Sequence, residues 1–195
     1  MKLEPSFYYR KNVTTVARDL LGKALITNVK GQISSGIIVE TEAYSWKERG
    51  CHAYNGRKTQ RNEVMFGAGG KAYVYLCYGM HHLFNVVTNR EGIAEAVLVR
   101  AVEPLEGIDL MRKRRGDVHA HQLTSGPGKL TRALGIDRSW NGKVLWNDDV
   151  WLEDIGRKVS GKQLEVSKRI GIDYAGEDAN LLWRFSIRDN KWVSR

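Results

Sequence analysis

The chain has 195 residues, and its 31 Lys and Arg against 22 Asp and Glu give a formal net charge of +9 and a pI near 9.6. This length fits one domain with a sizeable core, and the basic charge predicts a polyanionic partner, with nucleic acid favoured over an anionic membrane surface. There is no signal-peptide pattern or apolar run of the ~20 residues that cross a membrane, and Cys51 and Cys77 form no CxxC pair. We therefore expect a soluble, cytoplasmic protein with neither a membrane partner nor a disulfide framework.

The first part of the chain predicts a helix followed by two strands. Asn12 or Thr14 can cap a helix that runs through Leu21, because apolar residues recur there at helical spacing. A strand is then predicted over residues 23–28 and a long central strand over residues 33–44, both rich in β-branched residues.

The central strand carries acidic residues where a buried strand would carry Val or Ile. Alternate residues share a face, so Glu40, Glu42 and Tyr44 project to one side, and the face that begins at Ile37 projects to the core. Two carboxylates about 7 Å apart, if desolvated, would titrate abnormally, as a tuned general base does. A solvated face with one Glu paired to a Lys or Arg is an equally weighted alternative from this stretch alone. Gly36 indicates a bulge or the close approach of another backbone.

A long polar loop and a β-hairpin follow the central strand. Residues 45–70 largely lose apolar periodicity, and a loop of this length inside a compact domain is usually functional. A strand over residues 71–78 and another over residues 83–88 predict a hairpin. Its tip would expose Tyr78 and Met80, which indicates that this tip meets a partner.

The next strand is predicted over residues 96–102. It places Arg100 on the face of Leu98, where an unpaired guanidinium would be costly, so Arg100 needs a carboxylate or a phosphate. Pro104 is typical of a first helical turn, and the helix that it opens would end in the basic run 112–115.

The remaining third contributes an anion-binding turn and further strands. Residues 125–129 are rich in glycine and lead into a short helix, and their backbone N–H groups beside Lys129 form a ready anion site. Strand-like segments lie at residues 150–153, 164–172 and 183–188. The predicted fold is α+β: a single compact domain over residues 1–195, with a curved, mostly antiparallel β-sheet flanked by helices and a protruding β-hairpin.

Several motifs occur in order along nearly the whole chain. They are VETEAY at 39–44, the segment 52–62, YVY at 73–75 with YGM at 78–80, Asn85, RAVEPLEG at 100–107 and SGP at 125–127. Together they resemble the alkyladenine (3-methyladenine) DNA glycosylase family. The resemblance implies a base-excision-repair enzyme without a metal or other cofactor. Such an enzyme flips alkylated or deaminated purines (3-methyladenine, 7-methylguanine, hypoxanthine, ethenoadenine) out of duplex DNA and hydrolyses the N-glycosidic bond, which leaves an abasic site.

The resemblance also implies roles for individual residues. Glu42 would activate the water, and Arg100 would help to hold that water near the phosphate of the flipped nucleotide. Tyr78 would fill the gap that the flipped base leaves in the duplex. The purine pocket would consist of Tyr44, His52, Tyr75, Asn85 and Ile170, with Tyr73 left in the core. Contacts with DNA would come from Arg57, Thr59, Arg61, Asn62, Met65, Gly79, Met80, Ser125, Gly126 and Lys129.

Other functions are weighed against this interpretation. A non-catalytic domain could recognise distorted or damaged DNA through Tyr78 and the basic loop, with Glu40 and Glu42 only structural. A zinc nucleobase deaminase would need His-x-Glu and Pro-Cys-x-x-Cys elements, which the sequence lacks. A glycosylase with lyase activity would need an amine nucleophile, and the matched site offers none. We therefore expect a monofunctional enzyme that acts on double-stranded DNA. It is expected to be monomeric, to need no obligate protein partner and, if the source is bacterial, to associate with the nucleoid.

Overall fold

The computed structural model of the chain describes residues 1–194, and eight strands within them form one antiparallel sheet. The strands are β1 (Ala24–Val29), β2 (Gln32–Ser45), β3 (Ala72–Cys77), β4 (His81–Val87), β5 (Glu95–Glu106), β6 (Val150–Glu153), β7 (Leu164–Ser167) and β8 (Arg184–Ile187). Their order is β3-β4-β5-β2-β1-β6, and β8 pairs with both β2 and β7. The predicted α+β fold with an antiparallel sheet is confirmed, although β7 stops short of the predicted end at residue 172.

Four α-helices are present among the described residues. They are α1 (Pro5–Tyr8), α2 (Val13–Leu20), α3 (Ile108–Arg115) and α4 (Pro127–Leu134), with short 3₁₀ segments at Tyr54–Gly56, Glu63–Phe66, Ala120–Gln122, Arg138–Trp140 and Asp173–Asn180. The predicted cap of α2 is confirmed, because the Asn12 side chain accepts hydrogen bonds from the backbone N–H groups of Thr14 and Thr15. None of the helices within residues 1–194 combines the length and apolarity that crossing a bilayer requires.

The predicted helix start at Pro104 is wrong. Pro104 lies inside β5, which continues to pair with β2 and places Pro104 opposite Gly36. The close approach predicted at Gly36 is confirmed: a Cβ there would lie 2.6 Å from a methyl carbon of Val102, and the register shifts at the same point. The chain leaves the sheet only at Gly107, whose φ of +71° turns it into α3.

Strand β2 positions the site because three strands pair with it. β5 follows one edge of β2, whereas β1 pairs with the first half of the other edge and β8 with the second half. The β2–β5 register shifts between Ile38 and Glu40, so Val39 occupies a bulge. As a result Ile38, rather than the predicted Ile37, belongs to the main hydrophobic core. Glu40 and Glu42 lie beyond the bulge, between β5 and β8.

The two faces of the sheet carry different layers. On one face, α2, α3 and α4 enclose the main core, which includes Val97 and Val99 of β5. On the other face, the loop between β2 and β3 covers a smaller cluster that includes Ala96 of β5 and Tyr73 of β3. The alternation along each strand thus separates a core face from a second face, and the candidate site lies on the second face. Both cysteines are free.

Candidate active site

A cavity of about 900 Å³ opens on the second face of the sheet. The predicted site residues that line it are Tyr44, His52, Arg61, Met65, Tyr75, Tyr78, Gly79, Asn85, Arg100, Ser125, Gly126, Lys129 and Ile170. One cavity therefore collects residues that the sequence spreads over more than half of the chain. Within residues 1–194 no three His, Cys, Asp or Glu side chains stand close enough together to form a metal site.

Glu42 lies fully buried beneath the cavity wall, and three donors surround its carboxylate. Its Oε1 accepts a hydrogen bond from the backbone N–H of Ile170 at 2.8 Å. Its Oε2 accepts one from the Tyr44 hydroxyl at 2.8 Å and lies 3.3 Å from Nη1 of Arg100. Burial, together with the charge of Glu42, raises the pKa of Tyr44 well above its usual value, so Tyr44 stays protonated and donates. The Glu42 carboxylate is therefore fixed in orientation.

Glu40 is also fully buried, and it supplies the partner that Arg100 requires. Its Oε1 accepts hydrogen bonds from Nε of Arg100 at 2.9 Å and from Nε of Arg184 at 2.7 Å. Two arginines thus compensate the two buried carboxylates, Glu40 and Glu42, which would otherwise be costly to desolvate. The alternative left open by the sequence, a solvated face with one Glu paired to a Lys or Arg, is therefore wrong about the solvation, whereas the pairing is confirmed.

Aromatic rings form part of the cavity wall. The His52 ring lies 4.6 Å from the Tyr75 ring, and its Nδ1 lies 2.9 Å from the hydroxyl of Tyr73. Tyr73 is buried in the smaller cluster, as predicted for a core residue, but it also lines the cavity. Burial, with a smaller contribution from the charge of Arg61, lowers the pKa of His52 to about 4, so this ring is neutral at pH 7.

The depressed pKa of His52 predicts a loss of stability in acid. In the unfolded chain the pKa of this histidine is ~6.5. Below that pH the unfolded state therefore binds a proton that the folded state does not bind until the pH approaches the lower folded pKa. Because of this difference in proton binding, the free energy of unfolding should fall by about 1–2 kcal/mol as the pH is lowered from 7 to 5. Urea denaturation across this range should show that His52→Gln, which cannot titrate, has a flatter pH dependence than wild type. Parallel curves would contradict the assignment.

The β3–β4 hairpin projects beside the cavity, and its tip is exposed as predicted. Tyr78 is 86% and Met80 is 70% exposed. Tyr78 and Gly79 both have positive φ, and the N–H of Met80 donates to the carbonyl of Cys77 at 3.1 Å. These are the features of a type I′ turn, whose twist matches that of the two strands. The backbone of the turn therefore has a defined conformation, and the exposed Tyr78 side chain extends from it into solvent.

Two of the residues predicted to contact DNA, Asn62 and Met65, are buried. Asn62 is buried, and its side chain donates to the carbonyls of His52 and Arg57 at 2.8 Å and accepts from the N–H of Thr59 at 2.7 Å. Met65 is buried in the smaller hydrophobic cluster. A buried amide needs internal hydrogen bonds, and the loop provides them for Asn62. Through these bonds Asn62 connects the backbone of the exposed Arg57 with that of the cavity residue His52.

The turn before α4 packs directly against the hairpin. Ser125 bridges to Ala101 of β5, and a Cβ on Gly128 would lie 2.8 Å from the ring of His81. Ser125, Gly126 and Lys129 accordingly line the cavity on the side next to the hairpin. The predicted anion-binding turn and the predicted exposed tip therefore belong to one continuous surface.

A buried ion pair that the sequence did not indicate lies next to Glu42. Arg169 donates from Nη1 and Nη2 to the two carboxylate oxygens of Glu48, each at 2.7 Å. Its guanidinium carbon lies 4.7 Å from the centre of the Tyr44 ring and 5.3 Å from that of Trp183. Arg169 also precedes Ile170, whose N–H holds Glu42. No spacing in the sequence indicates this pair, because its members lie in two separate polar segments.

The chain is similar to proteins of one known family. The profile of the family described as Methylpurine-DNA glycosylase (MPG) matches residues 6–191. A relative from Chlamydia pneumoniae is 50% identical over 188 residues, which cover 95% of this chain and 94% of that protein. One from Carboxydothermus hydrogenoformans is 48% identical over 193 residues (99% of each), and one from Alkaliphilus oremlandii is 45% identical over 204 residues (100% of each). Each bears the name "Putative 3-methyladenine DNA glycosylase".

Proposed function

The chain belongs to the methylpurine-DNA glycosylase family. We propose that it removes alkylated or deaminated purines from duplex DNA. The enzyme flips the damaged nucleotide into the cavity and hydrolyses its N-glycosidic bond, which leaves an abasic site. The observation that carries this proposal is the buried, oriented carboxylate of Glu42 beside a cavity walled by aromatic rings. The whole chain acts as one monomeric glycosylase domain.

Glu42 is the general base in this proposal. A carboxylate suits the reaction because the purine is activated as a leaving group by alkylation or protonation, while the sugar develops positive charge. Glu42 accepts the proton of the attacking water, and its charge stabilises the sugar. The donors Tyr44 and Ile170 fix the carboxylate, so that little reorganisation accompanies the reaction. Arg100 helps to orient the water from its position between the two glutamates.

The aromatic wall selects the damaged base. Tyr44, His52 and Tyr75 stack on the flipped purine, at ~1–3 kcal/mol per base, and an electron-poor alkylpurine gains more from this contact than a normal base. The low pKa of His52 keeps its ring neutral, so it does not repel a positively charged alkylpurine. Asn85 is buried with its amide directed to the carbonyl of Tyr73, and it selects against the exocyclic amine of guanine.

The hairpin and the basic surfaces hold the DNA. Tyr78 enters the gap left by the flipped base and restores part of the stacking that extrusion costs. Gly79 and Met80 accompany it in the groove. The phosphate contacts come from Arg57, Thr59, Arg61, Ser125, Gly126 and Lys129, and the net charge of +9 supports this polyanion-binding role.

The second candidate is a non-catalytic binder of distorted or damaged DNA. The observation that favours it is the pairing of both carboxylates with arginines, which also suits a structural role. Such a protein would use Tyr78 and the basic surface in the same way and would leave the bound base attached.

Release of free base under single-turnover conditions separates the two functions. We expect wild-type protein in excess to release base from duplexes that carry hypoxanthine or 7-methylguanine, with alkali-labile sites as the product. An undamaged duplex of the same sequence is the control. Strand cleavage should require alkali, and borohydride should trap no protein–DNA adduct, because no amine nucleophile takes part. Tight binding of the damaged duplexes without any base release would favour the binder.

A further inference from the structure

We propose that Ser194 is a positioning residue for the hydrolysis, acting through Glu40 and Arg100. This inference rests on the function proposed above. Ser194 lies beyond residue 191, where the family match ends, yet it lines the same cavity. It contacts the buried charges behind Glu42 rather than Glu42 itself.

Ser194 contacts both carboxylate oxygens of Glu40. The Ser194 N–H donates to Oε2 of Glu40 at 2.7 Å, and its hydroxyl donates to Oε1 at 2.8 Å. The same hydroxyl accepts a hydrogen bond from Nη2 of Arg100 at 3.3 Å, and the Ser194 carbonyl accepts one from Nη2 of Arg184 at 3.3 Å. One donation and one acceptance match the capacity of a hydroxyl. Ser194 is itself buried, so these bonds are not exchanged freely with solvent.

The segment that carries Ser194 has its own anchors. Trp192 packs into the main hydrophobic core, and its N–H donates to the side chain of Asn190 at 2.9 Å. The side chain of Asn190 in turn donates to Glu103 of β5 at 3.0 Å. Because these contacts hold the segment in place, the loss of the Ser194 hydroxyl alone should leave the fold and the DNA-binding surface intact.

The hydroxyl matters because Arg100 is shared between two carboxylates. Its Nε lies 2.9 Å from Glu40, whereas its Nη1 lies 3.3 Å from Glu42. Ser194 supplies an acceptor for Nη2, and this hydrogen bond holds the guanidinium on the Glu40 side. The donation of the hydroxyl to Oε1 of Glu40 fixes the direction of that acceptor. Without the hydroxyl, the guanidinium can move onto Glu42 and occupy the lone pairs that the attacking water needs. The result is a weaker base.

The test compares Ser194→Ala with wild type in single-turnover base release from a hypoxanthine duplex. We expect the rate to fall about tenfold, since this hydroxyl bonds two charged groups whose placement the reaction needs. Affinity for the same duplex should not change. Ser194→Thr, which keeps the hydroxyl, should recover most of the rate.

Ser186→Ala is the matched control. Ser186 is buried on β8 opposite Glu40, but its hydroxyl bonds none of Glu40, Glu42 and Arg100, so this variant should keep the wild-type rate. Equal rates for Ser194→Ala and Ser186→Ala with an active wild type would overturn the positioning role alone. So would a loss of DNA affinity as large as the loss of rate, or a threonine variant as slow as the alanine variant. Absence of base release by wild type would instead overturn the proposed function, and this inference with it.

Discussion

Glu42→Gln should lower the single-turnover rate of base release by about 10²–10⁴-fold, the usual scale for a positioned general base. Glutamine keeps the size of the side chain but cannot take a proton from the water or oppose the positive charge on the sugar. DNA affinity should remain close to that of wild type, because Glu42 is fully buried and lies apart from the residues proposed to hold phosphates. The rate is measured with enzyme in excess over a hypoxanthine duplex, and affinity by titration of the same duplex.

The control for this substitution is Glu165→Gln, which makes the same chemical change on the exposed edge of β7. It should leave the rate unchanged. Thermal denaturation checks that Glu42→Gln still folds, because its amide group will face donors that the carboxylate satisfied. If the folded variant cuts as fast as wild type, Glu42 is not the base, even though the enzyme is a glycosylase.

Arg169→Met should lower the free energy of unfolding by about 3–5 kcal/mol, the usual range when a buried ion pair loses one partner. The substitution leaves the Glu48 carboxylate buried without a cation and removes the contact of the guanidinium with the Tyr44 ring. Urea denaturation at pH 7 measures the change. Because Arg169 precedes the residue whose N–H holds Glu42, the surviving folded protein should also release base more slowly.

Arg112→Met is the control for the arginine substitution. Arg112 pairs with Asp109 on α3 at 3.2 Å, but their side chains are 62% and 96% exposed, so the loss should be at most about 0.5 kcal/mol. The double variant Arg169→Met with Glu48→Leu should be more stable than Arg169→Met alone, since no unpaired charge then remains buried. If Arg169→Met costs no more than Arg112→Met, the buried pair does not stabilise the fold.

Interactions between residues that are close in the sequence determine much of the secondary structure of this protein. The cap at Asn12, the long strand β2, the exposed hairpin tip and the turn before α4 all follow from the residues that lie next to one another in the chain. Propensity failed at Pro104, because pairing with β2 outweighed the preference of proline for a first helical turn. The resemblance to the glycosylase family, and not local physics, implied which side chains would share the cavity.

The pairing of the buried charges depends on contacts between residues that lie far apart in the chain. Arg169 and Glu48 lie 121 positions apart, and Ser194 and Glu40 lie 154 apart, so periodicity carries no information about their contacts. The bulge at Val39 and the insertion of β8 beside β2 bring Arg100 and Arg184 to the same carboxylate. The β-branched pattern alone placed two acidic residues in a buried strand. Which arginine contacts which carboxylate depends on the fold, because desolvated charges pair with the partners that the packed elements bring within reach.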